Sequence, residues 1–110
     1  MDLRGETMAT RWSLRAVSSP TGAAAGVQAA LDRVVAQMSQ WELESDLSRF
    51  NRAPVGEWRM LPVEFARVLR AGLDVCDASA GAFDPAMGAL SDAWGFGAAA
   101  APRRAPDAAV

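Results

Sequence analysis

The chain has 110 residues, of which 51% are hydrophobic and 22% charged, the size and composition of a single globular domain with one core. Its net charge is -2 and all eleven of its cationic residues are arginines scattered along the chain, so no basic face is available for a phosphate backbone and nucleic acid is not an expected partner. With no histidine and with Cys76 as the one cysteine, the chain cannot build a Ser-His-Asp or Cys-His arrangement, an imidazole metal site or an intrachain disulfide.

The opening M-D-L-R-G-E-T-M carries neither the basic nor the apolar region of a signal peptide and no lipobox, and no apolar run reaches the ~18 residues of a membrane span. A strand is expected from Met8 to Val17, where Met8, Thr10, Trp12, Leu14 and Ala16 alternate with Arg11, Ser13 and Arg15. Ser18 to Gly22 is a turn cluster. An amphipathic helix follows over Ala23 to Met38, with Val27, Ala30, Leu31, Val34, Val35 and Met38 on its inner face and Gln28, Asp32, Arg33 and Gln37 facing away. Helical spacing then fails from Met38 to Arg52, which reads as an ordered loop with a brief helix near Ser45 to Phe50. The acids Glu42, Glu44 and Asp46 read as solvated loop charges rather than a cation site, because a metal needs convergent oxygens and not mere density. Trp41, a large aromatic in a polar loop, either plugs a core or offers a ring face for stacking.

An extended link over Arg52 to Leu61 leads to Pro62, which suits the first turn of a second helix. That helix runs to about Ser79, with Phe65, Val68, Leu69, Gly72, Leu73, Val75 and a buried Cys76 on its inner face and Gly81 as the C′ residue. It delivers the chain into S-A-G-A-F-D-P-A-M-G-A-L-S-D-A-W-G-F-G, Ser79 to Gly97, where four glycines punctuate an apolar run with Asp84 wedged between Phe83 and Pro85. Such a segment holds one defined shape. It either lines a pocket for a flat ligand or forms a helix C-cap, a tight turn and a core-packing Trp94. From residue 98 the text is a low-complexity Ala/Pro linker, and Pro106 to Val110 reads as the beginning of a helix. The expected domain division is 1–97 and 98–110.

Four motifs in this order carry a resemblance: T-M-A-T-R-W at Thr7 to Trp12, M-S-Q-W-E-L-E-S-D-L-S-R-F-N at Met38 to Asn51, G-A-F-D-P-A-M-G-A-L at Gly81 to Leu90, and W-G-F-G at Trp94 to Gly97. The chain resembles the amino-terminal portion of the FAD:protein FMN transferases, the ApbE-like family. The resemblance implies an α+β fold, here an amino-terminal strand, two long amphipathic helices and a Gly/aromatic-rich loop, as an incomplete piece of a larger domain. The expected strand would then pair with strands largely absent from this chain, which leaves its edges open. The family's activity is Mg²⁺-dependent transfer of the FMN moiety of FAD to a Ser or Thr hydroxyl of an acceptor flavoprotein. By its motifs, Met8, Trp41, Ala82, Phe83 and Asp84 are the implied FAD contacts. The residues that hold magnesium in the family lie beyond W-G-F-G, so no catalytic or metal-binding residue is assigned here and the chain alone is expected to be inactive. A non-catalytic flavin-binding or protein-interaction module is the alternative. Two positions depart from the family: Trp41 stands where Tyr is commoner, and M-A-T replaces M-G-T, which puts a methyl at Ala9. Family members are commonly exported or membrane-anchored, and the start of this chain leaves its compartment open.

Overall fold

The computed structural model describes residues 1–18, 20–98 and 104–107. The elements are β1 (Asp2–Thr7), β2 (Thr10–Arg15), α1 (Ala23–Met38), α2 (Asp46–Arg52), α3 (Val63–Ala78) and α4 (Gly88–Ala93), an α+β composition. They fall into two compact units, Met1–Pro54 and Val55–Val110.

In the first unit the expected strand is one half of an antiparallel hairpin, with Asp2 opposite Arg15 and Thr7 opposite Thr10. Its partner β1 went unread because D-L-R-G-E-T holds one large apolar residue, so its buried face, Leu3, Gly5 and Thr7, leaves little trace in composition. The strand is therefore paired within this chain, and Met8, expected at its start, sits instead in the two-residue hairpin turn with Ala9. The turn cluster before α1 contains Pro20, whose carbonyl accepts the Ala23 N–H at 3.1 Å, and Gly22 at φ 83.

Helix α1 packs on β1 and on α2. Its half-buried stripe is Ala24, Val27, Gln28, Leu31, Val35 and Met38, a spacing of three and four that matches one helical face. The polar assignments differ from expectation, since Gln28 lies within this stripe and Gln37 is buried. For Gln28 the reason is that its oxygen and both of its N–H groups are hydrogen-bonded. Its Oε1 accepts the Trp12 indole N–H at 2.9 Å, and its Nε2 donates to the Glu6 carbonyl at 2.9 Å and to Asp32 Oδ1 at 2.8 Å. A part-buried carboxamide is stable when its groups are all paired. Trp12 reaches Gln28 by lying across Gly5, its cross-strand partner, where a side chain would overlap both the indole and the carboxamide.

In the second unit Pro62, expected in the first turn, stands just before it as the N-cap of α3, and the Ala66 N–H bonds the Pro62 carbonyl at 2.9 Å. The helix ends in a Schellman motif: the Gly81 N–H reaches the Cys76 carbonyl at 2.9 Å and the Ala80 N–H reaches Asp77 at 3.2 Å. The C′ residue is thus Ala80 at φ 52, with Gly81 at C″ and φ 82, one position later than glycine's usual place. Phe65, Leu69, Gly72 and Cys76 form the covered stripe of α3, whereas Val68, Leu73 and Val75, expected inside, are exposed, and Cys76 is half-buried. Phe65 is the one apolar side chain less than a tenth exposed among the described residues.

The glycine-rich segment contains the short helix α4, which also ends in a Schellman motif: Gly95 at φ 78 donates to the Asp92 carbonyl at 3.0 Å and Phe96 to the Ser91 carbonyl at 2.9 Å. W-G-F-G is therefore a helix terminus, with Trp94 at the cap and 42% exposed rather than packed in a core. Of the expected Ala/Pro linker, residues 98 and 104–107 are described and lie in no helix or strand, and the helix beginning expected at 106–110 falls partly outside the described residues. No helix is long and apolar enough to cross a membrane among the residues described.

Gly5→Ala is expected to cost about 1–3 kcal/mol, because its methyl displaces the Trp12 ring or breaks the Gln28 clamp. A lower urea midpoint with an unchanged m-value measures this, and an unchanged midpoint contradicts it.

Candidate functional site

The hairpin turn, the end of α1 and the loop that follows it surround one cleft of about 930 Å³ in the first unit. Val34, Val35, Met38 and Leu47 supply its apolar surface, and Met8, Ala9 and Trp41 lie on its walls. Two of the residues implied by resemblance, 33 positions apart in sequence, thus share one concave surface. The reason is geometric: a two-residue turn brings Met8 to the tip of the hairpin, and α1, packed along β1, carries its C-terminus to the same end.

Met8 at φ 49 and Ala9 at φ 56 both occupy the left-handed region, as a two-residue hairpin turn of the primed type requires. Neither is glycine, and each such residue costs on the order of 1 kcal/mol. Strain therefore sits at the position that presents the Met8 thioether to the cleft.

Trp41 is 66% exposed, so its ring is not fixed by burial. The backbone of its loop is fixed by a cluster of serines. Ser45, 1% exposed, is the N-cap of α2: its Oγ accepts the Ser48 N–H at 3.1 Å while its hydroxyl donates to the Ser39 carbonyl at 2.6 Å. The Trp41 N–H in turn donates to Ser39 Oγ at 3.2 Å. From the other side, Arg52 Nη1 donates to the Leu43 carbonyl at 2.7 Å, and Glu44 is shared by Arg49 and Arg52 at 3.4 and 3.7 Å. The loop acids are thus split between arginine partners and solvent, and among the described residues no three of His, Cys, Asp or Glu come together to hold a metal ion.

Ala82, Phe83 and Asp84 lie in the second unit, on the turn that leaves α3. Ser79 holds this corner with two groups: its carbonyl accepts the Ala82 N–H at 3.1 Å and its Oγ accepts the Phe83 N–H at 3.0 Å. Asp84 Oδ1 accepts the Ala86 N–H at 2.8 Å, an Asx turn preset by Pro85. The segment rests on α3 at Gly72, where a Cβ would meet Pro85 Cβ at 3.6 Å and the Phe83 ring at 3.8 Å, ordinary van der Waals contact. The corner is therefore rigid while all three residues remain exposed, and Asp84 keeps a carboxylate oxygen available for a ligand hydroxyl or amino group.

The resemblance pointed to Met8 and Trp41, which border the cleft, but to none of Val34, Val35, Met38 and Leu47. Their helical spacing is the same signal that marks a core face. The sequence marked Ser39, Ser45 and Ser48 as cap or turn formers, but not the second bond that ties the Ser45 hydroxyl back to the Ser39 carbonyl.

A profile described as the ApbE family matches residues 8–110. The FAD:protein FMN transferase of Klebsiella pneumoniae is 36% identical over 112 residues, covering 96% of this chain and 31% of that protein. That of Haemophilus influenzae is 29% identical over 113 residues, covering 96% of this chain and 33% of its own length. The chain thus spans about a third of the length of these curated relatives. The crystal structure of the Pseudomonas stutzeri flavinyl transferase ApbE in its apo form superposes with a TM-score of 0.87 at 29% identity, covering 99% of this chain and 38% of that one. The flavin transferase ApbE from Vibrio cholerae gives 0.84 at 26% identity.

Ala9→Gly is expected to stabilise the hairpin by roughly 0.5–1 kcal/mol, the relief at φ 56 outweighing the added freedom of the unfolded chain. Urea unfolding reads this directly, and a lower midpoint contradicts it.

Proposed function

This chain belongs to the ApbE family, and from that membership we propose that it forms the flavin-contacting stretch of an FAD:protein FMN transferase. Its relatives bear that name, and the reaction that the family resemblance implies moves the FMN moiety of FAD to a Ser or Thr hydroxyl of an acceptor flavoprotein. The observation that carries the reading is the meeting of Met8 and Trp41 in one cleft with an apolar surface of Val34, Val35, Met38 and Leu47.

The residue types suit a flavin nucleotide. A flat heteroaromatic ring gains from stacking on the exposed face of Trp41 and from soft contact with the Met8 thioether. The volume of about 930 Å³ is in the range of a cofactor-sized site. Ala82, Phe83 and Asp84 are the remaining proposed contacts. In this role Phe83 offers ring area, and Asp84 accepts hydrogen bonds from ribose hydroxyls or an amino group while its other oxygen holds the turn. Trp41 in place of the family's commoner Tyr keeps the stacking area and gives up a phenol hydrogen bond.

Magnesium is part of the reaction that the family resemblance implies. The described residues do not fit it, because no three potential ligands converge, so no step here is derived through a metal. What these residues contribute is binding and orientation of FAD. The other reading is a non-catalytic flavin-binding or interaction module, favoured by the exposure of Val55, Trp58 and Met60, each above nine-tenths.

Titration of FAD fluorescence with the 110-residue chain is expected to show binding, and Trp41→Ala is expected to weaken it about tenfold, the loss of one stacking contact. Unchanged affinity in that variant rejects the flavin reading of the cleft. Incubation with FAD, Mg²⁺ and an acceptor flavoprotein should leave the acceptor's mass unchanged with this chain alone. Addition of one FMN group would show that the chain is catalytically sufficient.

A further inference from the structure

We infer that Ser45 is a positioning residue for the flavin site, holding Trp41 at the cleft through a single buried hydroxyl that ties the end of α1 to the start of α2. The inference rests on the flavin reading proposed above and deepens it.

Helix α1 is capped at its C-terminus by Ser39, whose N–H still bonds the Val35 carbonyl at 3.1 Å and whose φ of -79° and ψ of 122° turn the chain out of the helix. Helix α2 begins after Ser45. Residues 40–44, Trp41 among them, are strung between these two points. Ser45 Oγ bonds at both: it donates to the Ser39 carbonyl at 2.6 Å and accepts the Ser48 N–H at 3.1 Å. With Ser45 1% exposed, losing the hydroxyl leaves the Ser48 N–H without this partner and the Ser39 carbonyl with only the long bond from Ser48 Oγ. Ser48 Oγ lies 3.4 Å from the same Ser39 carbonyl, too long to substitute for the 2.6 Å bond.

Trp41 depends on this arrangement because it has little else. Its ring is 66% exposed, and its backbone N–H is held by the Oγ of Ser39, the residue whose carbonyl Ser45 grips. Ser39 thereby passes the constraint from Ser45 to Trp41. On the far side of the loop, Arg52 holds Leu43 through a bond that is exposed, as the Trp41 N–H bond to Ser39 Oγ is, which leaves the buried Ser45 hydroxyl as the anchor of the loop's two ends. Ser45 itself is not among the residues lining the cleft, so its influence on a ligand must pass through the loop.

The test is a double-mutant cycle on the 110-residue chain with FAD as the probe, together with urea unfolding and amide hydrogen exchange of each variant. Ser45→Ala is expected to weaken FAD binding about fivefold and to speed exchange at residues 41–44 while the hairpin amides are unchanged. Ser45→Thr, which keeps the hydroxyl, is expected to restore both. In the Ser45→Ala/Trp41→Ala variant, affinity should be no weaker than in Trp41→Ala alone, because the effect of Ser45 is spent through that ring. Should Ser45→Ala not fold, Ser45→Gly, a milder change at a cap, carries the same comparison. Losses that multiply in the double variant, or unchanged exchange at 41–44, overturn the inference while the flavin reading stands. Unchanged FAD affinity in Trp41→Ala overturns the flavin reading and this inference together.

Discussion

The Gln28 carboxamide ties α1 to the hairpin, accepting from the Trp12 indole and donating to the Glu6 carbonyl, while its second N–H is held by Asp32 on the same helix. Glu6 lies two residues before Met8, so this clamp sets where the hairpin tip stands relative to the helix. The clamp in turn requires Gly5, since only a residue without a side chain lets the Trp12 ring cross β1 to reach Gln28. One polar contact, with the glycine that admits it, thus positions the first wall of the cleft.

Polar ties matter here because apolar burial is scarce. Phe65 alone among the described apolar side chains is almost fully covered, while Trp41, Trp58, Met60 and Leu43 are largely exposed. Order is concentrated at the ends of helices. Ser45 joins α1 to α2, and Ser79 fastens the Ala82–Asp84 corner to α3. Schellman motifs close α3 and α4. Apart from Met8, which sits in the hairpin turn, each of the proposed flavin contacts lies on a turn or loop anchored in this way, which gives exposed side chains a fixed backbone from which to meet a ligand.

The family's motifs acquire separate physical meanings on this scaffold. T-M-A-T is a strained hairpin turn, and M-S-Q-W-E-L-E-S is a loop closed by serine hydroxyls. A-F-D-P is an Asx turn resting on Gly72, and W-G-F-G is a helix terminus. The first three hold the residues proposed to meet FAD. The fourth presents no residue assigned to the ligand, and its glycines answer backbone geometry: Gly95 adopts φ 78, and Gly97 is buried where a side chain would collide with Asp92.

By itself the sequence determined the two long helices, the brief helix of the serine loop to within a residue or two, and the family, because three-and-four spacing, caps and local motifs are written in neighbouring residues, but it did not show α4. It left β1 unread and put Met8 in a strand, since Met-Ala is not a pair that announces a left-handed turn and the pairing of Thr7 with Thr10 is what forces one. It faced Gln28 to solvent, although its indole and carbonyl partners lie 16 and 22 residues away. That Met8 and Trp41 line one cleft was likewise decided only in three dimensions. Local spacing reports which face of an element is apolar, whereas the partner that covers it, or the hollow that it borders, is set by contacts between residues distant along the chain.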